Sequence, residues 1–394
     1  MKLLFLNHNV AHTRGTFFRA YALAGQLTLL GHEVTLITTS ARSRFWVHST
    51  VSAGVTVVES PAILPGRARS GWDPFDVVRR VLVCRSPRLS SVDLIHAFDS
   101  RPTVIIPALA MRKRSNAGLV IDWADWWGRG GTIEERPTSD VLRSLVRRPE
   151  TYFEESFRTR ADATTVISHA LRDRAVGLGV PSETISVLPS GSDIESIRPL
   201  DRAEARRVSR LPEQGPIIGY LGAALRRDQD LLATTITALV NRRDDLQFLL
   251  IGNSNVPMPE HPRIIRTGFV PHHRLPYLLG ACDVFLLPLV DSIANRGRWP
   301  SKINDYIAAG RPVVASGVGD IADLFARGKI GKLAGSETEG LVTACLELVD
   351  DPGQAAEIGK NARSLAETEL SWSRISAGFL AAYEGALKRR AVSA

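Results

Sequence analysis

Short aliphatic and β-branched runs alternate with helix-length segments along the whole chain. That alternation points to parallel sheets covered by helices. In the first half, strands are predicted at 2–7, 33–38, 55–58, 92–96, 118–122, 163–167 and 185–188. Helices fit 17–30, closed by Gly31, and 102–114. The pattern then begins again. Pro216 to Gly222 reads as a strand running into a glycine turn, and further strands fit 246–251, 263–266, 283–288, 312–315 and 330–333. A single core rarely serves more than roughly 250–300 residues, so 394 residues imply two Rossmann-like domains. The boundary is expected near 191–215, where Gly, Ser, Pro and charged residues cluster. After Ser371, the residues Ile375, Phe379, Leu380, Tyr383 and Leu387 recur at helical spacing and predict a terminal amphipathic helix.

Composition removes several classes. The N-terminal apolar run ends at Asn7, too short for a signal peptide, and no stretch approaches the roughly 18 apolar residues of a membrane span. A cytoplasmic protein is expected. Cys84, Cys282 and Cys345 are too few and too far apart for a disulfide framework or a metal-type spacing. Lys and Arg number 49 against 41 Asp and Glu. A net charge of +8 allows an anionic partner, or simply reflects an arginine-rich proteome. Zinc-finger spacing, an RNP-like run and a long basic helix are all missing, so nucleic acid is not expected as a partner. Arg112, Lys113 and Arg114, with Arg143, Arg147 and Arg148, allow peripheral contact of the first domain with an anionic membrane.

The most informative stretch runs from Arg298 to Ser316. Pro300 and Ser301 suit a helix start, Gly310 suits its end, and Pro312 opens the next strand. Lys302 then lies in the first helical turn, where a cation opposes the helix dipole unless a phosphate binds. Asp305 lies three residues on, on the same face, and its carboxylate can accept from the two hydroxyls of a ribose. Lysine on phosphate and carboxylate on ribose would form a nucleotide handle; a plain surface ion pair is the alternative. The triplet Asp228-Gln229-Asp230 is read as the cap of a helix beginning at Leu231, and no metal is expected.

In the first domain, the loop from Asn7 to Thr16 follows the first strand and precedes a helix. Arg14, Gly15, Thr16 and Arg19 are candidates there for contact with an anion or an acceptor, with a solvated loop as the alternative. A second cluster is Asp122-Trp123-Ala124-Asp125-Trp126-Trp127, at the end of a predicted strand, where open α/β sheets bind ligands. Trp123 and Trp126 are candidates for stacking on sugar rings, and Asp122 and Asp125 for holding hydroxyls or acting near the reacting carbon. Core packing of the tryptophans is the alternative. His96 is read as structural.

These motifs together resemble the family-four retaining glycosyltransferases (glycosyl transferases group 1). Ala308 to Ala315 matches that family's Ala-x-Gly-x-Pro-Val-Val-Ala, and Pro300-Ser301-Lys302 matches the Pro-x-Lys found in a subset of it. Of the family's paired glutamates, the second falls on Asp305 and the first on Gly297. The family's histidine falls on Ala124, followed by the matching Asp125. Of the paired glycines usual in the first loop, Gly15 alone remains. Asp162 to Ser168, Val187 to Asp193 and Gly219 to Gly222 complete a likeness spanning nearly the whole chain.

The resemblance implies the GT-B fold, two Rossmann-like β/α/β domains facing a central cleft, with the C-terminal helix crossing back to the first domain. Residues 1–195, with about 372–394, would bind the acceptor, and residues 196–371 the donor. It implies sugar transfer from a nucleotide diphosphate sugar to a hydroxyl acceptor, with retention, and no cofactor or metal. The acceptor would be a lipid-linked saccharide, a polysaccharide precursor or a natural product. Donor contacts would come from Gly222, Arg226, Arg227, Pro300, Ser301, Lys302 and Asp305. Catalytic roles would fall to Asp125, Asp122 and Lys302. A nucleotide-sugar epimerase or hydrolase of the same fold, or a non-catalytic sugar-binding homologue, is the alternative.

Overall fold

The computed structural model describes every residue except Arg14, Pro137, Pro259 and Ala394, and every side chain among these except those of Arg67, Ala68, Arg88 and Ser393. The chain forms two compact units, Met1–Pro189 with Trp372–Ala394, and Ser190–Ser371.

The first unit holds β1 (Lys2–Val10), β2 (Glu33–Thr39), β3 (His48–Ser52), β4 (Val55–Ser60), β5 (Leu94–Phe98), β6 (Gly118–Trp123), β7 (Ala163–Val166) and β8 (Ile185–Val187). They form one sheet in the order β3-β4-β2-β1-β5-β6-β7-β8, parallel except for β3 against β4. Successive strands extend outward from β1 in both directions, so the sheet's switch point lies between β1 and β5. Both faces are covered, which explains the apolar runs at residues 3–6 of β1 and 119–121 of β6. One face packs Leu4, Leu6, Ile95, Ala97 and Ile121 against Val104, Ile105, Ala108 and Met111 of the Pro102–Ser115 helix.

The other face carries the terminal Trp372–Ser393 helix, which belongs to this unit. Its Tyr383 hydroxyl lies 2.7 Å from Nδ1 of buried His96. Burial pushes His96 down to about 3, so it stays neutral and its role is structural.

Three elements here carry weak sequence signals. The β3–β4 hairpin turns at Ala53 (φ 50°) and Gly54 (φ 78°), and every residue of β3 is exposed, so no alternation announces it. The Pro74–Cys84 helix is started by Asp73, whose carboxylate accepts from the Phe75 amide at 2.9 Å. The Asp140–Glu155 helix starts at Ser139 and carries Pro149 inside it.

The second unit holds β9 (Ile217–Leu221), β10 (Gln247–Ile251), β11 (Ile264–Arg266), β12 (Val284–Leu287), β13 (Val313–Ser316) and β14 (Gly331–Ala334). Their order, β11-β10-β9-β12-β13-β14, is all parallel and is the doubly wound dinucleotide-fold order 3-2-1-4-5-6. Its switch point lies between β9 and β12. Gly219 in β9 is required by contact: an added Cβ would meet Cys282 Sγ at 2.5 Å and the Phe285 ring at 2.6 Å. That Phe285 ring stacks on Tyr306, centroids 4.0 Å apart. Among the described residues, no helix is long and apolar enough to cross a membrane.

Candidate functional site

In doubly wound sheets, ligands bind beyond the C-terminal strand ends at the switch point. In the second unit that place is built by the turn after β9 and the segment after β12. Gly222 turns at φ 73°, with open space where a Cβ would stand. The Tyr306 hydroxyl accepts from the Leu221 amide at 2.9 Å and so ties the later segment to the turn.

The segment after β12 ends in the short Lys302–Ala308 helix. Ser301 precedes it without a side-chain cap bond. Asn304 anchors the segment by donating to the Ser190 and Gly191 carbonyls at 2.8 and 3.0 Å, while its Oδ1 accepts from Trp299. Pro300 and Trp299 are buried, whereas Lys302 and Asp305 are partly accessible.

Lys302 does not pair with Asp305. Its Nζ donates to the Ala223 carbonyl at 3.2 Å and sits 3.7 Å over the Tyr220 ring, beside the glycine turn. Burial and the nearby Arg298 charge push Lys302 down to about 7. Burial and Asp193 push Asp305 up to about 7. An ammonium and a carboxylate three residues apart are each held against their charged form, by burial and by a like charge. An anionic ligand on the first and hydrogen-bond donors on the second would relieve both.

Arg226 and Arg227 open the Arg226–Arg242 helix directly after the glycine turn. Arg226 is exposed, and Arg227 Nη1 donates to Ser292 Oγ at 3.3 Å. This start corrects the expected one at Leu231. Asp228 lies inside the first turn, and its carboxylate leaves the helix for Val290, Asn295 and Arg298. Nothing local in the sequence singles out Arg298 or Asn295, because their significance depends on this nonlocal carboxylate.

The first unit overturns several expectations. Asp122 is fully buried and grips Arg19 at 2.9 and 3.0 Å, while accepting from Thr165 Oγ1 at 2.6 Å. Burial opposes its charge, yet Arg19 and Thr165 hold its carboxyl below the ordinary range. Asp122 and Arg19 are therefore a structural ion pair, out of reach of substrate or anion. Trp123 is also fully buried, under the Arg158 guanidinium at 4.2 Å, so it is a core residue. The Thr16 hydroxyl is engaged by Asn7 at 2.9 Å and Asn9 at 2.5 Å. Gly15 caps the Thr16–Leu29 helix at φ 58°, a left-handed conformation that favours glycine. Arg14 lies outside the described residues.

Asp125 is exposed just past β6, and Trp126 is half-buried under the Arg174 guanidinium at 4.0 Å. Beside them at the β1–β5 switch point stand His8, Asp99 and Arg101. Asp99 has φ 85°, costly for a residue with a side chain, and accepts from Trp127 Nε1 at 2.9 Å. Arg101 donates to it at 3.2 Å. Burial, then Arg101, push His8 down to about 3, so a neutral imidazole faces this edge.

A family model described as glycosyl transferase 4-like domain matches residues 15–191, and another described as glycosyl transferases group 1 matches residues 215–351. The chain belongs to the group 1 glycosyl transferase family. Members resembling it include a GDP-mannose-dependent alpha-(1-6)-phosphatidylinositol monomannoside mannosyltransferase of Mycolicibacterium smegmatis. That protein is 27% identical over 54% of this chain and 59% of its own length. The chain thus spans about three fifths of the length of that relative. A 2-deoxystreptamine glucosyltransferase of Streptomyces kanamyceticus is 26% identical over 76% of this chain and 82% of its own. The solved sucrose-phosphate synthase of Thermosynechococcus elongatus superposes with a TM-score of 0.75 at 18% identity, covering 97% of this chain and 98% of its own. Both units of this group 1 member carry the Rossmann-like fold of GT-B glycosyltransferases.

Proposed function

We propose that this protein transfers a sugar from a nucleotide diphosphate sugar to a hydroxyl of an acceptor. The observation that carries the proposal is Lys302 and Asp305 at the β9–β12 switch point, each partly accessible and each held near pH 7 by its surroundings. Lys302 would hold the diphosphate and Asp305 the ribose, with Gly222 allowing close approach of the backbone and Arg226 and Arg227 adding positive charge. In the reaction, the bond from the anomeric carbon to the phosphate oxygen breaks. The bond to the acceptor oxygen forms on the same face, and the leaving phosphate takes the acceptor proton. Lys302 and the backbone amides stabilise the charge that develops on that phosphate, without a protein nucleophile, cofactor or metal. Asp125 and Trp126 are the remaining acceptor-side candidates of the β6 cluster. The names of relatives support both a lipid-borne acceptor and an aminocyclitol such as 2-deoxystreptamine.

The test is product mass after incubation with a panel of nucleotide diphosphate sugars and acceptors. A product heavier by one sugar, lost in Lys302→Ala, supports transfer. Donor turnover without acceptor would support a hydrolase or epimerase instead, and a protein that binds no nucleotide diphosphate would remove the donor site.

A lipid-borne acceptor would bring the first unit to a membrane. Val141, Leu142 and Leu145 of the Asp140–Glu155 helix are 74%, 49% and 66% exposed, beside exposed Arg147 and Arg148. Apolar side chains flanked by arginines on one helix suit an anionic interface. Salt-sensitive sedimentation with anionic vesicles tests this contact; no binding at low salt would favour a soluble acceptor.

A further inference from the structure

Asp228 is 2% exposed and makes three bonds to the segment after β12. Its Oδ1 accepts from the Val290 amide at 3.0 Å and Asn295 Nδ2 at 2.8 Å, and its Oδ2 accepts from Arg298 Nη2 at 2.9 Å. Asn295 Oδ1 accepts from Arg298 Nε at 2.8 Å, and Asn295 Nδ2 also donates to the Val290 carbonyl at 2.7 Å. One edge of the Arg298 guanidinium is therefore fixed by a buried carboxylate and a buried amide. Nη1 has no hydrogen bond among the described residues, and the side chain is 17% exposed.

Arg298 lies four residues before Lys302, in the segment that leads into the Lys302–Ala308 helix, and close enough to oppose the Lys302 charge. A pyrophosphate linkage carries two phosphate charges; Lys302 offers a single ammonium, and of the two arginines that open the Arg226–Arg242 helix, Arg226 is exposed and Arg227 already bonds Ser292. A guanidinium presents two further parallel donors in a fixed fork suited to phosphate oxygens. Two cations whose charges oppose one another make an arrangement that a diphosphate would relax.

We infer that Arg298, aimed by Asp228 and Asn295, is the second cation of the diphosphate subsite, where it engages the phosphate oxygens beside those held by Lys302. Arg298 touches the ligand; Asp228 and Asn295 are positioning residues that act through it. The inference rests on the donor-site reading of Lys302 and Asp305.

The experiment compares nucleoside diphosphates with their nucleosides on the full chain. UDP and GDP are titrated by calorimetry, and uridine and guanosine are measured by saturation-transfer NMR. Arg298→Gln is expected to weaken the preferred diphosphate at least tenfold and leave its nucleoside unchanged. Asn295→Ala, which keeps the Asp228–Arg298 pair, is expected to lose several-fold, again only for the diphosphate. Arg298→Gln leaves Asp228 buried without its partner, so the Asp228→Asn/Arg298→Gln double variant, which buries no lone charge, guards against a folding failure and should show the same tenfold loss. A folded Arg298→Gln or double variant that keeps the wild-type preference for diphosphate over nucleoside would overturn the inference alone. A wild-type protein without that preference would overturn the donor-site reading beneath it.

Discussion

Replacing Asp122 by asparagine removes one charge from a pair that no water can compensate. Arg19 is 3% exposed and Asp122 fully buried, and two of the guanidinium's nitrogens bond the carboxylate. Asparagine keeps the volume and one acceptor, but leaves the Arg19 charge buried. Breaking a buried pair in this way typically costs about 3–5 kcal/mol. Domains are usually stable by only about 5–15 kcal/mol, so the loss is a large share of the total. For a unit of this size each kcal/mol shifts the melting temperature by roughly 2–4 °C, which predicts a fall of roughly 6–20 °C. Tryptophan fluorescence during thermal unfolding is the natural assay, because six of the seven tryptophans lie in the first unit and Trp299 alone in the second. The carboxyl is held below its ordinary range, so its contribution is complete at neutral pH and lost as pH falls through its folded value. The acid-side slope of the stability profile should therefore flatten in Asp122→Asn. A variant that melts like wild type while sugar transfer disappears would refute the reasoning and return Asp122 to the chemistry.

Lys302→Ala and Asp305→Ala should each weaken nucleotide diphosphate binding by about 1.5–3 kcal/mol, roughly ten- to hundredfold, in calorimetry; unchanged affinity in both would remove the donor site. That affinity should peak near pH 7, because Asp305 gains a proton below about 7 and Lys302 loses one above about 7. Asp305→Asn should abolish the acidic limb and keep the alkaline one, and a flat wild-type profile would count against both assignments. Gly219→Ala should destabilise the second unit by about 1–3 kcal/mol through overpacking against Cys282 and Phe285, read as a shift in its thermal transition without change in the first unit's tryptophan signal. Leu142→Asp with Leu145→Asp, both on the exposed face of their helix, should abolish vesicle binding and leave melting unchanged; retained binding would place any membrane contact elsewhere.

The parallel sheets were legible because buried parallel strands are apolar throughout, as in Leu3-Leu4-Phe5-Leu6 and Phe248-Leu249-Leu250-Ile251. Elements without that signature were not. Strand β3, His48-Ser49-Thr50-Val51-Ser52, exposes every side chain, and the Asp140–Glu155 helix turns Val141, Leu142 and Leu145 outward, so its apolar face is not a core face. The site residues divide in the same way. Lys302 and Asp305 are local neighbours whose spacing is visible in the chain. The fate of Asp122 was decided by Arg19, distant in sequence, and that of Asp228 by Arg298. A carboxylate at a strand end looks the same in sequence whether it meets a substrate or a guanidinium from another element.

The two switch points therefore share a topology and differ in electrostatics. At and around the β1–β5 edge of the first unit, charges are matched internally: Asp122 with Arg19, Asp99 with Arg101 and Arg158, Glu154 with Arg174. A ligand at this edge would be met by neutral or already paired groups. At the β9–β12 edge of the second unit, Asp228 satisfies Arg298, but Lys302 rests on a carbonyl and an aromatic face, and Asp305 faces another carboxylate. Burying ionisable groups without a directly bonded counter-charge costs stability, and that cost falls when a ligand supplies phosphate charge and hydroxyl donors. The imbalance gives the second unit a reason to prefer a nucleotide diphosphate, with phosphate for the cations and ribose for the carboxylate. It follows that ligand-free stability and donor affinity should trade against each other at Lys302. Lys302→Met removes the desolvated charge, and should melt no lower than wild type while losing the stabilisation that added nucleotide diphosphate confers.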